Sequence, residues 1–329
     1  MGDVSVSERT VETRDGVRLH VLDAGNGFPV VLAHGFPELA YSWRHQIPAL
    51  ADDGCRVLAP DQRGYGRSSR PDAIDAYDIE HLTADLLALL DDVGEERAVF
   101  VGHDWGAMVV WNLALLAPER VAGVVGMSVP FVPRGPMPPT QMFRQVVGDS
   151  FFYMLYFQEP GVADADLGRD PATTMRRMLG GLASASSDPE AVARAMAGDE
   201  RGFVERLPEP ERLPDWLSRE ELDRYVAEFT RTGFTGGINW YRNLDRNWTL
   251  TEGLAGAKVT MPSLFVGGAL DPVLVMMPPA VMDGWLEDHR GTLIVDGAGH
   301  WVQQEKPAEV NDALLRFVGA VRDEKAARR

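Results

Sequence analysis

Short apolar runs alternate with amphipathic runs along much of the chain. The apolar runs have the length of buried strands, and the amphipathic runs have the period of surface helices. This alternation predicts βαβ units and a mostly parallel central sheet flanked by helices. The predicted strands cover residues 17–22, 29–33, 56–59, 98–102, 121–127, 263–266 and 292–295.

Clear start and stop signals mark the helix predicted in DIEHLTADLLALLDDVG. Asp78 is a suitable N-cap and Gly94 a suitable C-terminal stop. Between them one apolar stripe recurs at helical spacing: Ile79, Leu82, Leu86 and Leu90. A second helix, from Gly106 to Leu116, is apolar nearly all round, so we expect it to be buried against the sheet.

The alternation of strands and helices stops at Pro130 and returns at KVTMPSLFVGG. Between these points the sequence shows only helical pieces and turns. We interpret residues 1–133 and 248–329 as the two parts of one α/β core. Residues 134–247 are then an inserted helical lid over the carboxyl ends of the strands, where ligands bind in open α/β sheets.

Composition excludes several functional classes. The formal net charge is −17 over 329 residues, which argues against a nucleic-acid partner. Cys55 is the only cysteine, so no intrachain disulfide forms and a cytoplasmic location is expected. The polar N-terminus resembles no secretory signal, and no apolar stretch has the length of a membrane span. The oligomeric state, monomer or homodimer, stays open.

The stretch AVFVGHDWGAMVVW carries the main chemical signal. An apolar strand leads into a turn and then a helix, with Gly102 and Gly106 flanking Asp104. This is the Gly-x-nucleophile-x-Gly frame of a nucleophile elbow, in which the middle residue is usually Ser. The sequence therefore predicts that Asp104 is the nucleophile.

Such an elbow needs an acid and a His later in the chain. Asp271 follows the strand predicted at 263–266, and His300 follows the strand at 292–295. Both therefore fall at the carboxyl ends of strands, as Asp104 does. We expect His300 to act as a base that Asp271 orients.

The loop HGFP follows the strand at 29–33 and predicts half of an oxyanion hole. The expected donors are the backbone N–H groups of Phe36 and Trp105. A carboxylate is already an anion at neutral pH, so Asp104 suits attack on an sp³ carbon that carries a strained or good leaving group. The resulting ester would be hydrolysed by water that His300 activates. The alternative is a silent elbow in a ligand-binding protein.

Several long motifs resemble those of the soluble epoxide hydrolases of the α/β-hydrolase fold. They are HGFPELAYSWRHQ, DQRGYGRSS, GHDWGA, FFYMLYFQEPG, NWYRNLDRNW and GAGHW, spread over about residues 10–320. The resemblance implies an α/β-hydrolase fold with Asp104, His300 and Asp271 in the roles given above. It also implies an epoxide substrate and water as the reacting partners, and no cofactor.

The same resemblance implies that two lid tyrosines donate to the epoxide oxygen, namely Tyr153 and Tyr241. With Phe36 and Trp105 they are also the expected substrate contacts. Tyr156 lies three residues from Tyr153 and is the main rival for its role; we assign it to packing.

Two departures from related proteins refine this expectation. Haloalkane dehalogenase is the second enzymatic hypothesis, but a dehalogenase of the same fold commonly has Asn where Phe36 stands, and this difference and the two tyrosines argue against it. Some epoxide hydrolases carry an additional N-terminal phosphatase domain; this chain begins close to its first predicted strand, so we expect no such activity.

No metal-ligand spacing is present in the sequence, so no metal site is expected. The sequence does not separate fatty-acid epoxides from small aromatic ones.

Overall fold

A computed structural model of the chain describes residues 5–181 and 197–327. Its centre is an eight-stranded sheet in the order β1-β2-β4-β3-β5-β6-β7-β8. The pairs β1–β2 and β2–β4 are antiparallel, and the remaining pairs are parallel. The strands are β1 (Val6–Glu12), β2 (Arg18–Ala24), β3 (Phe28–Ala33), β4 (Cys55–Pro60), β5 (Ala98–His103), β6 (Val121–Met127), β7 (Val259–Gly268) and β8 (Leu286–Val295).

Helices cover both faces of the sheet and also occur in the described part of the connection between β6 and β7. The α-helices are α1 (Gln46–Asp52), α2 (Ile79–Val93), α3 (Trp105–Leu116), α4 (Pro139–Val147), α5 (Tyr153–Tyr156), α6 (Val162–Gly168), α7 (Pro171–Arg176), α8 (Phe203–Arg206), α9 (Arg219–Thr232), α10 (Thr235–Arg242), α11 (Leu244–Leu250), α12 (Pro272–Met276), α13 (Val302–Glu305) and α14 (Pro307–Ala327). Arg177–Gly181 forms a π-helical turn. Short 3₁₀ turns lie at Ala40–Trp43, Ile74–Tyr77, Pro118–Arg120, Glu252–Leu254 and Pro279–Met282.

Two apolar clusters lie on opposite faces of the sheet. Successive side chains of a strand point to opposite faces, so Val30 and Val31 of β3 enter different clusters. Helices α2 and α3 pack on the face of Val31, and helices α1 and α14 pack on the face of Val30. The result is the three-layer α/β/α arrangement that a mostly parallel sheet requires.

The predicted local elements are confirmed. Each predicted strand coincides with an observed one. The Asp78 carboxylate accepts the His81 backbone N–H at 3.1 Å and caps α2, and Gly94 ends the helix in the left-handed conformation at φ 73°. Helix α3 is buried along most of its length, as its apolar composition predicts.

The pattern of apolar residues does not predict strand β1. Most residues of β1, VSERTVE, are exposed, because β1 is an edge strand that pairs only with β2. An edge strand with both faces near solvent lacks the apolar alternation that identifies a strand in sequence.

The segment between β6 and β7 holds helices α4 to α11, and no strand occurs in the part of it that the structure describes. Polar contacts attach this segment to the core. Trp240 Nε1 of α10 donates to the Arg63 carbonyl at 3.1 Å, and Asn243 Nδ2 donates to the Ile74 carbonyl at 2.6 Å. Within residues 5–181 and 197–327, no helix is both long and apolar enough to cross a membrane.

Candidate active site

Asp104 lies on a sharp turn between β5 and α3. Its backbone has φ 52° and ψ −120°, a conformation that non-glycine residues rarely adopt. The flanking glycines make the turn possible by allowing close backbone approach. A Cβ on Gly102 would lie 2.1 Å from the Gly106 carbonyl oxygen, and a Cβ on Gly106 would lie 2.0 Å from that of Ala33. The turn therefore projects the Asp104 side chain beyond the end of the strand.

Both oxygens of the Asp104 carboxylate have defined neighbours. Oδ1 accepts the backbone N–H of Phe36 at 2.9 Å, and Oδ2 lies 3.5 Å from His300 Nε2. A Cβ on Gly35 would come within 2.5 Å of Asp104 Oδ1, so the absence of a side chain there allows the loop after β3 to approach the carboxylate. One oxygen is thus held by an amide, and the other faces an imidazole.

His300 is held on its far side by Asp271. Its Nδ1 lies 3.0 Å from Asp271 Oδ2 and 3.1 Å from Oδ1. Burial by itself would raise the pKa of Asp271, but the charge of His300 and hydrogen bonds from His300 and the Val273 amide lower it. The ionised carboxylate fixes the Nδ1 proton and leaves Nε2 directed towards Asp104.

Tyr153 and Tyr241 lie beside each other, with ring centroids 5.8 Å apart. The Tyr241 ring also contacts Phe36 at 5.5 Å and Trp105 at 5.0 Å. Burial, reinforced by Asp104 and Asp271, raises the pKa of Tyr153. Burial, reinforced by Asp104 and Tyr153, raises that of Tyr241. Both phenols therefore stay protonated at neutral pH within electrostatic reach of the carboxylate.

Tyr156 faces another environment. Its hydroxyl donates to Asp166 Oδ2 at 3.3 Å, and burial together with Asp166 raises its pKa to about 12 although Arg169 opposes the rise. Asp104 is not among these causes. The two tyrosines of FFYMLYF therefore differ in surroundings, and Tyr153 is the one coupled to the Asp104 carboxylate.

Helices α5 and α10 carry the tyrosine pair and are joined to each other. Gln158, just after α5, donates from Nε2 to the Tyr241 carbonyl at 3.0 Å. Arg242 donates from Nε to the Phe157 carbonyl at 3.1 Å. These bonds connect segments that lie 83 and 85 positions apart in the chain, so the separation of the two phenols depends on how the helices pack.

Comparison with known proteins identifies the family. Residues 29–307 match the family model described as alpha/beta hydrolase fold. The chain is 62% identical to epoxide hydrolase A of Mycobacterium tuberculosis over 95% of this chain and 97% of that protein. The chain belongs to the epoxide hydrolases of the α/β-hydrolase fold.

Two other proteins named as epoxide hydrolases are also similar to this chain. The crystal structure of epoxide hydrolase A from Mycobacterium thermoresistibile superposes with a TM-score of 0.92 at 64% identity, over 95% of this chain and 98% of that one. The bifunctional epoxide hydrolase 2 of Mus musculus is 40% identical over 95% of this chain, and the match spans 55% of the mouse protein.

The structure of this family member brings all the residues nominated from sequence into one site. Those side chains and amides belong to Phe36, Asp104, Trp105, Tyr153, Tyr241, Asp271 and His300. Phe36 follows β3, Asp104 follows β5 and Asp271 follows β7, so the core residues share the carboxyl edge of the sheet. The tyrosines come from the segment between β6 and β7.

A second set of residues behind His300 was not recognised in the sequence. His103 Nε2 contacts the His300 carbonyl at 2.7 Å, and its Nδ1 contacts Glu38 Oε2 at 2.6 Å. A carbonyl oxygen only accepts, so His103 donates there and is not free to act as a second base. Ser128 Oγ donates to the same carbonyl at 2.8 Å. The only sequence signal was the position of His103 beside the nucleophile.

Among the described residues, no group of three or more His, Cys, Asp or Glu side chains is arranged to hold a metal ion. Glu38 is the most buried carboxylate near the site, and its partners are protein groups. Its Oε1 accepts from Gln303 Nε2 at 2.9 Å and from Gln304 Nε2 at 3.1 Å. Burial would raise the pKa of Glu38, but His103 lowers it to about 2.

Proposed function

We propose that this chain hydrolyses epoxides to vicinal diols through a covalent ester on Asp104. One observation carries the proposal: a carboxylate on the elbow lies between the Phe36 amide and His300, with two protonated tyrosines in electrostatic reach. Relatives named as epoxide hydrolases, at up to 64% identity, support the reaction class.

In the first step, Asp104 Oδ2 attacks one carbon of the epoxide. The carbon–oxygen bond of the strained ring breaks, and its electron pair goes to the ring oxygen. Tyr153 and Tyr241 donate hydrogen bonds to that oxygen, and one of them supplies the proton. Since Asp104 contributes to raising the pKa of both phenols, loss of its charge in the ester makes proton release easier as the alkoxide forms.

In the second step, water hydrolyses the ester. His300 Nε2 takes a proton from the water, whose oxygen attacks the carbonyl carbon of Asp104. The developing oxyanion is Oδ1, which already accepts the Phe36 amide; the Trp105 amide is the proposed second donor. Collapse of the tetrahedral intermediate releases the diol, whose oxygen takes the proton from His300. The Asp104 carboxyl that remains gives its proton back to the tyrosinate formed in the first step, which restores the starting state.

The substrate class follows from the rings around the nucleophile. Phe36, Trp105, Phe157 and the tyrosine pair surround it, and Phe157 and Tyr241 have ring centroids 5.0 Å apart. These rings favour epoxides with apolar or aromatic substituents. We assign residues 134–247, of which residues 182–196 lie outside the described part of the chain, to a lid that closes over this site and carries both tyrosines. A closed aromatic site excludes bulk water before the ester forms.

A turnover assay tests the reaction class. Purified protein would be incubated with alkyl and aryl epoxides and, in parallel, with chloro- and bromoalkanes of the same skeleton. Diol formation without halide release is the expected result. Halide release would make the protein a dehalogenase and leave the tyrosines without their role. If neither series turns over and Asp104 acquires no covalent label from the epoxides, the protein is a silent binding protein.

Replacing either proposed acid by phenylalanine should slow ring opening. We expect Tyr153→Phe and Tyr241→Phe each to lower kcat/KM by roughly 10²-fold, because each removes one proton or hydrogen-bond donor to the leaving oxygen. Tyr156→Phe is the matched control, since its hydroxyl bonds to Asp166 and should leave the rate near that of the parent. Steady-state diol formation measures all three. A Tyr153→Phe enzyme as fast as the parent would move the role elsewhere.

The ester-hydrolysis step should depend on pH through His300. Burial by itself would lower the pKa of His300, but the carboxylates of Asp271 and Asp104 raise it well above its usual range. In the ester Asp104 carries no charge, so one raising cause is lost and the pKa of His300 falls. Because a general base must be neutral, decay of the ester should slow as the pH falls through this lower pKa.

Rapid-mixing measurement of ester decay across about pH 5 to 9 checks this prediction. Titration of His300 by NMR in the free enzyme supplies the comparison, and its midpoint should lie at higher pH than that of the decay rate. A decay rate that stays constant across the range, or a midpoint above that of the free enzyme, would contradict the proposed role of Asp104 in setting the basicity of His300.

A further inference from the structure

The base of the proposed reaction lies in a loop. His300 follows β8 and precedes the short helix α13, so no strand or helix of its own holds its backbone. The position of the imidazole therefore depends on what fixes the peptide groups around it. The carbonyl of His300 accepts from His103 and Ser128, as described above. The amides of the two flanking residues have a different partner.

That partner is a single carboxylate. Glu305, the last residue of α13, accepts the Gly299 backbone N–H on Oε2 at 2.7 Å. Its Oε1 accepts the Trp301 backbone N–H at 2.9 Å. The two oxygens thus bond the amides immediately before and after His300. Charge-assisted bonds of this kind are about twice as strong as neutral ones.

We propose that Glu305 is a positioning residue for His300 and is required for the ester-hydrolysis step. The inference rests on the proposed role of His300 as the base. Glu305 does not touch the reacting atoms; it acts by holding the peptide groups on both sides of the base.

Close packing around the loop supports this assignment. A Cβ on Gly299 would lie 3.2 Å from Glu305 Oε1, and a Cβ on Gly268 would lie 2.1 Å from the Gly299 carbonyl oxygen. The loop is therefore confined between the end of β7 on one side and the Glu305 carboxylate on the other. Removing the Glu305 carboxylate removes the contact on one side of the loop, so the loop can move towards that side.

The bonds that Glu305 makes to the His300 loop should affect ester hydrolysis and not ester formation. Formation of the ester uses Asp104, which the elbow between β5 and α3 positions, and the tyrosines of α5 and α10. The backbone positions of these groups are set by the elbow and by the two helices, and not by the loop of His300. Hydrolysis of the ester requires His300 Nε2 at the correct distance from the attacking water, and a misplacement of about 1 Å can cost roughly 10²-fold in rate. Loss of Glu305 should therefore separate the two steps.

The test is Glu305→Gln in single-turnover experiments with an excess of enzyme over a reactive epoxide. The amide replaces one acceptor oxygen with an NH₂ group that faces a backbone N–H, so one of the two bonds is lost. We expect ester formation within about twofold of the parent and ester decay roughly 10²-fold slower, with the adduct on Asp104 visible by intact mass. Glu305→Asp, which keeps the charge but shortens the side chain so that it no longer bridges both amides, should show the same split.

Asp23→Asn is the control for loss of a buried carboxylate. Asp23 lies on β2 in the other half of the sheet and pairs with Arg9 and Arg56. Its replacement should leave both rate constants unchanged. If Glu305→Gln does not fold, the Glu305→Asp enzyme decides the question alone.

The other possible results contradict either the positioning role of Glu305 or the covalent mechanism. Unchanged ester decay in the Glu305 variants overturns the positioning role. Equal slowing of both steps also overturns it, because a general structural defect acts on both. Absence of any adduct in the parent enzyme and in His300→Gln would instead contradict the covalent mechanism on which the inference rests.

Discussion

Replacing Asp104 with alanine should abolish diol formation, lowering kcat by at least roughly 10⁴-fold. The variant loses the atom that forms the bond to the substrate, and no other carboxylate takes its place. Asp271, the other carboxylate of the proposed site, is bonded through both oxygens to His300 Nδ1 and lies behind the imidazole. Steady-state diol formation, with circular dichroism as a folding check, measures the effect. Asp72→Ala, which removes an exposed carboxylate, is the control.

An isotope experiment on the unaltered enzyme tests whether Asp104 or water attacks the epoxide. In a single turnover in ¹⁸O-labelled water, the water oxygen enters the carboxylate of Asp104 when the ester is hydrolysed at its carbonyl carbon. The diol then receives its new oxygen from Asp104 and carries no label. Label in the diol after the first turnover would mean that water attacks the epoxide directly and that Asp104 is a base or an electrostatic group.

Replacing His300 with glutamine should trap the intermediate. Asp104 remains an anion on its elbow, so the ester still forms. Water, however, lacks its base, and ester decay should slow by roughly 10²- to 10⁴-fold. Intact mass spectrometry should then show a protein heavier by the mass of one epoxide, with the added mass on Asp104 after digestion.

His300 Nε2 lies 3.5 Å from Asp104 Oδ2, so the replacement acts directly beside the ester. His289→Gln is the matched control, because His289 lies on the edge strand β8 and contacts Thr292 rather than the site. That variant should form and hydrolyse the ester at the rates of the parent. A His300→Gln enzyme that turns over without an adduct would rule out the two-step scheme.

The fold was largely predictable because its signals are local. The strand pattern, the Asp78 cap and the Gly94 stop of α2 each depend on residues within one or two helical turns of each other. The elbow around Asp104 is also local, since Gly102 and Gly106 permit its backbone from both sides. Strand β1 escaped prediction because its partner, and not its own composition, makes it a strand.

The core half of the site was predictable for a related reason. In a parallel sheet the carboxyl ends of the strands meet at one edge, so the order of Asp104, Asp271 and His300 along the chain implies their proximity. The choice of Tyr153 and Tyr241 came from resemblance. The lid region has no periodic sheet to relate one segment to another, and spacing does not distinguish Tyr153 from Tyr156.

The chain's local chemistry thus specifies the elbow, the strand ends and the identity of the reactive groups, because these depend on neighbours in sequence. Tertiary packing decides the rest. It sets the Phe36 amide against Asp104 across 68 positions and joins α5 to α10 through Gln158 across 83. It also places the Glu305 carboxylate on the amides around His300. Contacts of this kind arise when separate elements share one desolvated core, and no pattern along the sequence encodes their distances.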